Sequence, residues 1–157
     1  MEALAALLEA SALGQWARGS AVAYPIANVA HLLGLVLLVG GIGVVDLRLA
    51  GLWRGLPVAA LSRALTPVGL AGLVLLAVSG SVMFSADAGP MVGSDIFRAK
   101  MALIVLGLLH AVLFRWLWRR RMATWEADPP LAGRLMAMGS LSIWLCVGAL
   151  GRLIAYA

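Results

Sequence analysis

The sequence predicts an all-α fold, a four-transmembrane-helix up-down bundle with a short N-terminal interfacial helix. Three observations predict it. Apolar runs at 22–49, 62–85, 96–118 and 131–156 are each long enough to cross a hydrocarbon core, which takes about 20 residues. The connections between them are short, which favours antiparallel neighbours. Hydrophobic residues make up 63% of the 157 and charged residues 12%, against roughly 25% charged in soluble domains. A mean hydropathy of +1.00 points the same way. The whole chain, 1–157, reads as one membrane domain.

Residues 1–20 read as the interfacial helix. Leu4, Leu7 and Leu8 lie along one side and Glu2, Glu9 and Gln15 elsewhere. Trp16 and Arg18 suit the lipid headgroup level. The acidic start lacks the basic n-region of a cleaved signal peptide. The first span opens near Pro25, tolerated in a first turn. The second holds Pro67 and the small residues Gly69, Gly72, Ser79 and Gly80, which let membrane helices approach closely or leave room for something flat. A turn at Gly89-Pro90 leads to the third span, and the polar linker 123–130 to the fourth.

Eleven of the 12 basic residues are arginines. Arg48, Arg54, Arg63, Arg115, Arg119, Arg120, Arg121 and Arg134 surround loops 1 and 3. Loop 2 sets Arg98 and Lys100 against Asp87 and Asp95. The positive-inside rule then places loops 1 and 3 in the cytoplasm and both termini outside. The net charge of +5 therefore marks topology, not a nucleic-acid footprint, and no nucleic-acid partner is expected.

The chain has two histidines, and both fall inside apolar runs. His31 is in the first span and His110 in the third, the diagonal pair of an up-down bundle. Measured from the midpoints of Val22–Val45 and of Met101–Trp118, the apolar part of the third span counted from just after Lys100, they lie within about 5 Å in depth. Two imidazoles at one height can be the axial ligands of one haem iron. Arg152, Arg98 and Lys100 sit toward the same side as His31 and could hold the propionates. The bland alternative is a hydrogen bond inside the bundle, from His31 to Asn28 or a serine and from His110 to a carbonyl. Asp46 and Arg48 read as cytoplasmic-interface residues that pair with Arg54, Arg63 or a group on the fourth span. No second acid lies deep in the membrane, which argues against a transporter. Met83, Met91, His31 and Cys146 are candidate copper ligands without metal-motif spacing. The lone Cys146 permits no intrachain disulfide. No G-x-S-x-G, phosphate-binding glycine loop or CxxC is present, so hydrolase and nucleotide-binding classes have no support.

These features resemble two groups. His31, Gly40/Gly41, Arg48, Arg63, Pro67, Gly69/Gly72, Lys100 and His110 are similar in order to small membrane proteins of the protoporphyrinogen oxidase and copper-resistance D type. That likeness implies b-type haem. Tyr24-Pro25, His31, Asp46-Leu47-Arg48-Leu49, Ser79-Gly80, Met83-Phe84, Phe97, Lys100, Ser140-Leu141, Trp144 and Gly151-Arg152 resemble an uncharacterised family of small four-helix bacterial membrane proteins. The combined expectation is a membrane electron-transfer protein with haem b on His31 and His110. It would sit in the lipid bilayer and pass electrons to a quinone or a periplasmic redox partner, alone, as a homo-oligomer or in a larger membrane complex. The alternative is a non-enzymatic accessory subunit. Whether the chain is an enzyme is left open.

Overall fold

The computed structural model describes residues 2–122, 124–126 and 129–156. Every regular element among them is helical: α1 Glu2–Glu9, α2 Ala12–Gly19, α3 Ala23–Ala50, α4 Val58–Ala86, α5 Ala88–Gly93, α6 Asp95–Trp118 and α7 Leu131–Leu153. A single 3-10 turn, Ile154–Tyr156, follows α7. Four of the helices, α3, α4, α6 and α7, are long and apolar enough to cross a membrane.

The N-terminal segment differs from the expected single helix. Ser11 breaks it, because its side chain accepts the Gly14 amide at 3.2 Å and so caps a second helix. The pair is then pinned to the end of the bundle. Arg18 donates to the Ala86 carbonyl through Nε at 3.0 Å and through a terminal nitrogen at 2.6 Å. It also pairs with Glu9 at 3.3 Å, and Glu9 accepts the Gly89 amide at 2.7 Å. The Gly89 amide, and after it Arg18, hold the Glu9 carboxyl below its ordinary value.

Helix α3 stops where only glycine sits easily. Gly51 has φ 119°, and the amides of Gly51 and Leu52 return to Arg48 and Leu47, the glycine-terminated cap that satisfies last-turn carbonyls. Helix α4 begins at Val58, four residues before its apolar run was expected to start, because Pro57 supplies an extended N-cap and Glu126 accepts the Val58 amide at 2.7 Å. The expected Gly89-Pro90 turn is the short helix α5, with Pro90 in its first turn.

Helix α3 is central, flanked by α4 and α7, and α6 packs mainly on α7. The α3–α4 seam is built on glycine. A Cβ on Gly72 would lie 2.5 Å from the Leu38 nitrogen, and one on Gly41 would lie 2.7 Å from the Gly69 nitrogen. Helices α4 and α6 meet through longer side chains, with Phe84 and Phe97 stacked at 5.3 Å. Leu38, Trp144 and Val147 form a mid-bundle core, met by Leu73, Leu76, Leu103 and Ile104. A second core of Val45, Leu49, Val58, Trp125 and Ala137 fills the arginine-rich end. There the indole of Trp125 donates to the Leu49 carbonyl at 3.2 Å and Arg134 to the Ala50 carbonyl at 2.9 Å.

Candidate functional site

Polar side chains enter the bundle at two depths. Near the terminal end, α3 presents His31 to α4. Its Nδ1 lies 3.0 Å from the Ser79 hydroxyl oxygen. The Ser79 hydroxyl already donates to the Leu75 carbonyl at 2.6 Å, the usual back-bond of a membrane serine. The hydroxyl proton is therefore spent, and Ser79 must accept from His31 Nδ1–H. The Leu76 carbonyl, an acceptor only, also faces the ring. This tautomer leaves the lone pair on Nε2, which makes no hydrogen bond among the described residues. An oriented imidazole with its second nitrogen free is the arrangement that ligand histidines adopt. Gly80 lets the ring lie flat on α4, since a Cβ there would be 3.2 Å from Cε1.

Lys100 joins this level from α6. Its stem runs past Gly151 of α7, where a Cβ would lie 3.3 Å from Nζ. It is half-buried and close enough to act electrostatically on His31. Neither of the two ion pairs among the described residues involves it. The other two expected cations turn elsewhere. Arg98 is exposed and pairs with Asp95 at 2.7 Å. Arg152 lies over the Tyr156 ring at 4.8 Å and donates to its hydroxyl.

His110 does not share the site, and the expected histidine pair is corrected here. A Cβ on Gly139 of α7 would lie 3.7 Å from His110 Nε2. On the next residue, the Ser140 side chain reaches Asp46 of α3, and one position further, Leu141 packs at Gly43. His110 is thus level with Asp46. Along α3 the run from position 31 to 46 rises about 22 Å. A metal–imidazole bond is about 2 Å, as at zinc, so one iron cannot take both rings. The error came from Lys100, taken as the edge of the third apolar run. It lies inside the bundle at the depth of His31, which moves the midpoint of α6 toward the terminal end. The expected hydrogen bond of His110 to a carbonyl is also missing: its Nδ1 is buried without a partner.

The space expected from small residues is occupied as well. Gly69 and Gly72 are filled by α3, and Gly107 faces Ile143 and Trp144 of α7 at 3.2 Å. The residues therefore do not fit a haem clamped between two histidines. At the terminal end, His31 Nε2 makes no hydrogen bond and Lys100 no ion pair among the described residues. For copper, no group of three or more His, Cys, Asp or Glu gathers among the described residues. Cys146 is exposed on α7.

At the arginine-rich end, Arg48 is buried at 4% exposure. Its Nε donates to the Leu56 carbonyl at 2.6 Å and a terminal nitrogen to the Arg54 carbonyl at 3.0 Å. It pairs with backbone, not with Asp46. Asp46, expected at the cytoplasmic interface, lies four residues before the end of α3 and is packed within the bundle at 7% exposure. The signal was its spacing of four from Ile42, on the face that Leu38, Val45 and Leu49 also occupy.

A family model described as "Family of unknown function (DUF6644)" matches residues 6–157. No curated protein and no solved structure matches the chain. The likeness to an uncharacterised family stands, and nothing in the comparisons supports the likeness to the protoporphyrinogen oxidase and copper-resistance D type.

Proposed function

We propose, for a chain that belongs to this family, a membrane redox protein that carries a b-type haem on His31 alone. What supports the reading is the Ser79 contact that holds Nε2 of His31 free and oriented. Haem offers an iron to that nitrogen and an anionic propionate to Lys100, and when bound it supplies a one-electron centre. Lys100 would neutralise the propionate away from bulk water, where a charge-assisted contact is strongest. Arg98 and Arg152 are at the same end and would join only by leaving Asp95 and Tyr156. In this reading the protein sits in the bacterial inner membrane with both termini outside. Electrons then pass to a quinone or a periplasmic partner, with the chain alone, as a homo-oligomer or within a larger complex.

The absorption spectrum of the full chain, purified from haem-replete cells, tests it. The expected result is a Soret band that shifts on dithionite reduction, is lost in His31→Ala and is retained in His110→Ala. A colourless wild type sinks the reading. That outcome favours the second reading, a non-enzymatic accessory subunit, which is supported by the glycines of α4 being consumed in packing against α3.

A further inference from the structure

A cleft of about 320 Å³ opens at the terminal end of the bundle, between α2, the start of α3 and the end of α4. Ala17 and Ala86, both buried, line it with small side chains, and Arg18, Ser20, Tyr24 and Asp87 add polar ones. Neither His31 nor Lys100 is part of it, so it stands apart from any haem at His31.

The polar groups of the cleft are only partly spent. Arg18 uses Nε and Nη2 on the Ala86 carbonyl, and Nη2 also on Glu9. Its Nη1, with two donors, makes no hydrogen bond among the described residues. The Ser20 hydroxyl oxygen accepts the Val22 and Ala23 amides at 3.4 and 3.2 Å. The Tyr24 hydroxyl and the Asp87 carboxylate make no hydrogen bond among the described residues, and Asp87 makes no ion pair there. Asp87 is close enough to act electrostatically on Tyr24. Glu9 offsets the charge of Arg18, so the uncompensated charge of the cleft is that of Asp87.

An occupant that satisfies these groups offers Asp87 a cation with N–H donors, and offers Arg18 and Tyr24 an acceptor close by. Ethanolamine phosphate carries both. Its ammonium has three donors for a carboxylate that only accepts, and phosphate is a favoured partner of guanidinium. A choline phosphate has the charge without an N–H, and a glycerol phosphate has no cation. Beside the cleft, Val22, Ile26, Val29, Leu33 and Val36 run down α3, each more than half exposed. Their spacing of three and four keeps them in one stripe, a track for acyl chains. Trp16 of α2, also more than half exposed, suits the headgroup level of the bilayer. We infer that this cleft binds the headgroup of an ethanolamine phospholipid, with its ammonium on Asp87, its phosphate on Arg18 and Tyr24, and its acyl chains along α3.

Lipid titration of the delipidated full chain in detergent, read by native mass spectrometry, tests the inference. The probes are palmitoyl-oleoyl phospholipids that differ only in carrying ethanolamine, choline or glycerol. The expected result is about tenfold tighter binding of the ethanolamine lipid than of the other two, the scale of one hydrogen bond to a charged group. Asp87→Asn abolishes that preference and Asp87→Glu keeps it. The Asp87 side chain is exposed and caps no helix, so neither variant removes a contact of the fold. Equal binding of the three lipids by the wild type overturns the inference, as does a preference that Asp87→Asn retains. Displacement of the lipid by an equal concentration of soluble glycerophosphoethanolamine overturns it too, because the acyl chains would then contribute nothing.

Discussion

The hydroxyl of Ser79 decides the chemistry available to His31. Because it donates to Leu75, it can only receive from the imidazole, and one side chain thereby selects the tautomer of another. Ser79→Ala removes that acceptor. Under the proposed haem reading, loss of an outer partner of a ligand histidine typically lowers affinity by about 10–100-fold, so haem titration of Ser79→Ala should show weaker binding, whereas Ser81→Ala, whose hydroxyl bonds only the Ala77 carbonyl, should bind as the wild type does. The same logic explains why Arg48 needs no acid. Two loop carbonyls take its donors, and losing them would leave those carbonyls unpaired in a buried corner. Composition marked His31 and Arg48 as unusual, since ionisable groups in apolar runs stand out. It did not name their partners, because Ser79 and Leu56 come from turns of chain that only folding brings alongside.

Among the helices, glycine position decides which ones touch. Gly72 faces the α3 backbone, while Gly40 meets nothing within 4 Å. Gly72→Ala should therefore destabilise the bundle by the roughly 1–3 kcal/mol of an overpacked seam and lower its thermal midpoint in detergent, whereas Gly40→Ala should not lower it. Equal midpoints for the two variants would show that the α3–α4 seam is not glycine-dependent. The N-terminal pair α1–α2 makes a pH-dependent element. Its Glu9 carboxyl titrates below the ordinary value of 4.5, so its contribution is complete above that value and is lost as pH falls through the lower, folded one. The protection factors of α1 and α2 amides, exchange rates referred to the intrinsic rate at each pH, should fall at acid pH, and Glu9→Gln should show the lower protection already at neutral pH. The helices themselves were legible from run length and hydropathy. Their ends were less so, as Val58 shows: its amide is capped by Glu126, 68 residues away, and no local pattern encodes that.

For the molecule as a whole, the outstanding question is which way the bundle faces. Gly19 and Gly55 lie at opposite ends, and neither has a neighbour within 4 Å of a built Cβ, so each accepts a cysteine. In a Cys146→Ala background, an impermeant thiol reagent applied to spheroplasts should label Gly19→Cys and spare Gly55→Cys; the reverse pattern would invert the proposed orientation. Lipid as solvent, the number of spans and their helical nature follow from composition and run length alone, because every backbone polar group in a bilayer must be satisfied within its own helix. Relative depth was different. It depends on how far each helix slides along its neighbours, and glycine contacts such as Gly43–Leu141 and Gly151–Lys100 set that slide. Packing therefore placed Lys100 beside His31 and carried His110 down to Asp46, two separate polar levels in place of the single one that counting residues from the membrane edge suggested.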